Sequence, residues 1–122
     1  GKILIAQRNA DDRLAYKWEF PGGKLEADET PEQCIVRELR EELSIQTECT
    51  TLVGTTVWTY QGRAPFELRA YRMRYLSGSV RLHEHAAVRW VSVEELDAYD
   101  FADADWPIVH KLMAQAAENG SS

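Results

Sequence analysis

Three glutamates, Glu38, Glu41 and Glu42, lie in the run Arg37-Glu38-Leu39-Arg40-Glu41-Glu42 at positions i, i+3 and i+4. On a helix advancing about 100° per residue they fall on one arc, with Val36, Leu39 and Leu43 expected on another side. A cluster of hard carboxylate oxygens repels itself unless a counter-charge is present, and Mg²⁺ or Mn²⁺ prefers such ligands. The plainer reading is a solvated helix face with i,i+4 support from pairs such as Arg37 and Glu41. His83, His85 and His110 read as surface or packing residues, because nothing in the sequence pairs them.

The helix that must carry this arc is well marked. Thr30-Pro31-Glu32-Gln33 puts a hydroxyl at the N-cap, Pro at the first helical position and Gln at the capping-box position, which predicts a helix running to about Leu43. Before it, residues 3 to 7 form a first strand and residues 8 to 17 a polar loop. After it, residues 49 to 60 and 66 to 76 read as a hairpin closed by Gln61-Gly62-Arg63-Ala64-Pro65. Ser77-Gly78-Ser79 turns into another strand, and residues 87 to 91 form a last one. Ser92 to Glu95 opens a short helix with a second capping box, and Pro107 to Ala117 forms a terminal helix. Helices and strands mix without regular βαβ alternation, so the fold class is α/β in the broad sense, an α+β or mixed-sheet sandwich.

The chain has 122 residues and 44% hydrophobic content, enough for one domain spanning residues 1–122. Its net charge of −6 argues against a nucleic-acid polymer as partner, since such binders carry a basic face. No apolar run approaches the ~20 residues of a membrane helix. A monomer or weak homodimer in the cytoplasm is expected. Cys34 and Cys49 read as ordinary thiols in a reducing compartment. Because Gly1-Lys2-Ile3-Leu4-Ile5 is already strand-like, further residues are expected before it.

From Gly23 the spacing is five residues to Glu29, seven to Arg37-Glu38-Leu39, one to Glu41-Glu42, then one to Ser44 and Ile45. This resembles the Nudix box at every defined position except Ser44, where the family has Gly at a helix end that favours a left-handed conformation. Trp18-Glu19-Phe20-Pro21-Gly22-Gly23-Lys24, the strand Ile3 to Arg8, Glu84 six residues before Trp90, and Ala104-Asp105-Trp106-Pro107-Ile108 are similar to segments of MutT-like members. The resemblance covers nearly the whole chain. It implies the Nudix fold, a mixed β-sheet sandwiched between helices.

The resemblance also implies a magnesium-dependent hydrolase, with Mn²⁺ a possible substitute, that cleaves a nucleoside triphosphate to monophosphate and pyrophosphate. Its substrates would be oxidised nucleotides such as 8-oxo-dGTP, in the service of DNA repair, or CTP-type pyrimidine nucleotides. The implied metal ligands are Glu38, Glu41, Glu42, Glu84 and the carbonyl of Gly22, with Glu38 or Glu84 as general base and Arg37 orienting Glu41 or Glu29. Arg8 would meet substrate phosphate or simply close a strand at the surface. Glu19, Phe20 and Pro21 would line the substrate site, although Trp18 and Phe20 fit a core equally well. Asp105 would read the base edge or cap the following helix. Two other functions stay open: hydrolysis of dinucleoside polyphosphates or ADP-ribose, for which Tyr60 stands fifteen residues past Ile45, and a catalytically silent nucleotide-binding domain.

Overall fold

A computed structural model describes residues 2–22 and 26–120. Gly23 and Lys24 of the motif lie outside the described residues. Strand β1 (Ile3–Arg8) is the centre of a three-stranded sheet, flanked by the short β2 (Trp18–Glu19) and by β5 (His85–Val91), both antiparallel to it. A parallel bridge from Trp18 to Phe101 extends the β2 edge. The period-two alternation of β1 divides the core between two faces. Ile5 joins Val91, Leu96, Phe101 and Val109 beneath the terminal helix α2 (Trp106–Gly120), whereas Leu4 and Val88 pack against Leu39, Leu43 and Ile45 of the other helix and its exit. Full burial of a side chain such as Ile5 or Leu43 contributes about 1.5–3 kcal/mol. The sheet is thus held between helices in an α+β arrangement.

Helix α1 (Pro31–Leu43) begins where the capping signals predict: Gln33 N–H donates to Thr30 Oγ1 at 3.1 Å and Thr30 N–H to Gln33 Oε1 at 2.9 Å. It ends at Ser44 in the left-handed conformation, φ 61° and ψ 30°. Strands β3 (Gln46–Trp58) and β4 (Phe66–Ser77) form the hairpin, which begins earlier than residue 49 and turns at Tyr60–Arg63 through Gly62, φ 78°. Helix α2 starts at Trp106, one residue ahead of the predicted Pro107. Among the described residues no helix is long and apolar enough to cross a membrane.

Two sequence expectations are corrected. The carboxylates of α1 do not share one solvated arc apart from the packing side. Glu42 stands three residues after Leu39 and next to Leu43, so it shares their buried face, while Glu41 is exposed. Nor does a separate strand follow Ser79. Residues 78–84 form no strand and bend at 83–84, and the N–H groups of Arg81 and His83 donate instead to the carbonyls of Leu43 and Glu42 at the end of α1.

Candidate active site

A cleft of about 210 Å³ opens where β1, β2, the start of β5 and the last turn of α1 meet. Its walls include Gly22, Glu42 and Glu84, together with Arg8 and Glu19, as well as Asp12 and His85, which the sequence pattern does not single out. Strand pairing accounts for the meeting. Arg8 and His85 are register partners at a bulge in the β1–β5 ladder, which brings Glu84 to the mouth of the cleft.

Arg8 is held from two sides. Its Nε and Nη2 donate to the two carboxylate oxygens of Asp12, each at 2.8 Å, and its Nη1 donates to Glu19 Oε1 at 2.5 Å. Burial alone would lower its pKa, but the combined attraction of Glu19 and Asp12 outweighs this and raises it. With five N–H donors on a guanidinium, two remain for a ligand. The other oxygen of Glu19 accepts from His85 Nε2 at 2.9 Å, and a carboxylate can only accept, so the proton sits on Nε2. His85 is therefore a buried cleft residue rather than a surface one, with its Nδ1 buried and unpartnered.

On the helix, Arg37 gathers the outer carboxylates. Its Nε and Nη2 donate to Glu29 at 2.6 and 3.0 Å, and its Nη1 reaches Glu38 at 2.8 Å and Glu41 at 3.0 Å. The bonds to Arg37 pull the Glu29 carboxyl down to about 2. Glu42 presents the opposite case. It is 6% exposed and its Oε2 is buried with no hydrogen-bond partner. Burial first, then Glu38 in hydrogen-bonding contact, then the charges of Glu84 and Glu19 push its pKa up to about 9.

A buried carboxylate oxygen without a donor, facing three more carboxylates, fits a divalent cation as the missing partner. Among the described residues no three candidate ligands already converge on a single point.

Beyond Glu19 the wall changes character. Phe20 stacks on Phe101 with ring centres 5.4 Å apart, and both Trp18 and Phe20 pack against the core on the α2 side. The N–H of Phe20 donates to Asp105 Oδ1 at 3.1 Å. Asp105, 6% exposed, spends its carboxylate on the segment that follows β2 rather than on the first turn of α2, so the helix-cap reading fails. Burial, together with the charge of Glu19, raises its pKa to about 7 against the opposing pull of the Phe20 N–H and Arg8. Next to it, the Ala104 N–H donates to the Tyr60 hydroxyl at 3.0 Å.

Helix, sheet and acidic cleft define a hydrolase of the class whose motif α1 carries. The NUDIX domain family model matches residues 1–112, and the chain belongs to that family. It is 43% identical to a CTP pyrophosphohydrolase of Escherichia coli K12 over 117 residues, which cover 96% of this chain and 86% of that protein. It is 37% identical to an 8-oxo-dGTP diphosphatase of the same organism, covering 91% of this chain and 85% of the other. The solution structure of the E. coli ORF135 protein superimposes with a TM-score of 0.82 at 40% identity, covering 100% of this chain and 86% of that one.

Proposed function

We propose that this protein hydrolyses a nucleoside triphosphate to the monophosphate and pyrophosphate, acting on oxidised purine or cytosine nucleotides. The observation that carries the reading is the buried, unpartnered Glu42 oxygen among Glu38, Glu84 and Glu19. Glu38, Glu41, Glu42 and Glu84, with the Gly22 carbonyl, are the groups that would hold Mg²⁺ or Mn²⁺. When bound, the cation supplies the charge neutralisation that phosphoanhydride cleavage requires.

The chain's own residues do the rest. Glu38 or Glu84 accepts the proton of the attacking water. Arg8, clamped by Asp12 and Glu19, presents its two remaining N–H groups to a phosphate, a bidentate geometry suited to that anion. Arg37 orients Glu38 and Glu41, and Phe20 with Pro21 walls the nucleoside. Asp105 meets the base edge. With its pKa raised to about 7, both its accepting and its donating form are populated near neutral pH, which suits a cytosine amine and an oxidised guanine alike.

The test is a panel of ordinary and oxidised nucleoside triphosphates, a dinucleoside polyphosphate and ADP-ribose, each with Mg²⁺, scored for pyrophosphate against orthophosphate. Pyrophosphate should dominate, with CTP-type and 8-oxo-dGTP-type substrates leading. Orthophosphate and a diphosphate as main products would overturn the bond assignment, and no turnover at all would favour a silent nucleotide binder.

A further inference from the structure

The turn carrying Glu84 lies across the end of α1, and its contacts run through Ser44, the one motif position that departs from the family pattern. Gly78 (φ 99°) comes so near that a Cβ there would sit 2.6 Å from the Ser44 carbonyl oxygen. Further along, Arg81 N–H donates to Leu43 O at 2.9 Å and His83 N–H to Glu42 O at 3.3 Å, occupying two carbonyls that a helix end otherwise leaves open. Ser44 holds a left-handed conformation, φ 61°, that glycine adopts without steric cost. A serine there needs a reason, and its hydroxyl supplies one: Ser44 Oγ and His83 Nε2 share a hydrogen bond of 2.8 Å. On the far side of Glu84, His85 Nε2 donates to Glu19 at 2.9 Å. Glu84 therefore stands between two histidines, one tied to the cap of α1 and the other to β2.

We propose that Ser44 and His83 are a positioning pair for Glu84: their hydrogen bond pins the turn at 83–84 against α1 and sets Glu84 opposite Glu42 in the cleft. The backbone strain kept at Ser44 serves this contact. The inference rests on the reading in which Glu84 serves the reaction. It assigns to the two residues no contact with substrate; they act through the carboxylate they hold in place.

Ser44→Gly separates this role from a merely structural one, because it relieves the left-handed strain while deleting the hydroxyl. The measurements are kcat, KM, melting temperature and Mn²⁺ affinity for Ser44→Gly, His83→Ala, the double variant and Glu84→Gln. Ser44→Gly should melt at or above the wild-type temperature, yet show weaker Mn²⁺ binding and a kcat lower by about 10-fold, as loss of a ligand-orienting contact commonly does. His83→Ala should lose a similar factor in kcat, and the double variant no more than the worse single variant, since both changes break one bond. If Glu84→Gln is impaired while Ser44→Gly keeps wild-type kcat, or if the two losses multiply, the positioning pair is overturned. A fully active Glu84→Gln overturns the underlying reading of Glu84 instead.

Discussion

Two acidic clusters sit within one helix length of each other and are treated in opposite ways. Around Arg37, the carboxylates of Glu29, Glu38 and Glu41 are paired with a guanidinium whose side chain is 13% exposed. Glu42 itself is given no cation among the described residues and its Oε2 is left without a donor, although its neighbours Glu38 and Glu19 are paired with Arg37 and Arg8. A protein built for stability alone would neutralise both, since a buried unpaired carboxylate is costly. On the proposed reading the contrast makes Arg37 the scaffold that orders Glu38 and Glu41, and leaves Glu42 for a charge brought from outside.

The sharpest way to break that comparison is Glu42→Gln. It keeps the shape and removes the charge, so kcat with Mg²⁺ should fall at least ~100-fold, which is ~2.7 kcal/mol of transition-state stabilisation. Without metal its melting temperature near neutral pH should match or exceed that of the wild type, because the wild-type carboxyl, pushed up to about 9, must take up a proton to be buried and the amide need not. Near-wild-type turnover would mean that the open cluster is not the metal site.

Arg37→Ala probes the other cluster and should show the reverse balance. Four carboxylates, those of Glu26, Glu29, Glu38 and Glu41, lose a partner at once, so thermal stability should drop clearly, with activity down by about 10-fold or more through disordered Glu38 and Glu41. Thermal melts beside kinetics decide it. A variant as stable as the wild type but inactive would make Arg37 a substrate contact rather than scaffold.

Asp105 lies between the two extremes, buried but with one N–H partner, and gives the smallest effect. Its folded pKa of about 7 exceeds that of an unfolded Asp, ~3.9, so the stability it contributes is full below the lower value and is lost as pH rises through the upper one. Asp105→Asn should flatten stability over that window, read by chemical denaturation at a series of pH values. The same variant should shift the kcat/KM ratio between CTP-type and 8-oxo-dGTP-type substrates by ~10-fold, the worth of one base contact. A wild-type pH slope in the variant would show that Asp105 does not titrate in that range.

Local signals make α1 legible in the sequence. Thr30, Pro31 and Gln33 announce its start and Ser44 sits at its left-handed end, because capping is settled within a few residues. The hairpin and β5 follow from similar short-range patterns. What escapes such reading depends on distant partners. Val80-Arg81-Leu82 alternates like a strand, but its N–H groups are spent on the end of α1, a neighbour no periodicity reveals. His85 resembles a surface residue because its partner, Glu19, is 66 positions away. Asp105 precedes Trp106-Pro107 as a helix cap would, yet its carboxylate bonds to Phe20, 85 positions back. The carboxylates themselves are visible as a motif, while the division of labour between Glu42 and the group held by Arg37 needs the third dimension.

The pairing of Arg8 with His85 has a kinetic meaning as well. The cleft is closed by pairing between residues as far apart in sequence as Arg8 and His85, whereas α1 and the β3–β4 hairpin are built from contacts between near neighbours. Closing so long a loop is entropically expensive and tends to come late in folding. During synthesis, a nascent chain that has already formed the acidic helix still lacks the strand that brings Glu84 to it. If Glu84 serves the reaction as proposed, hydrolysis is expected to begin only when the last strand docks, and the onset of turnover in a refolding experiment would time that docking event.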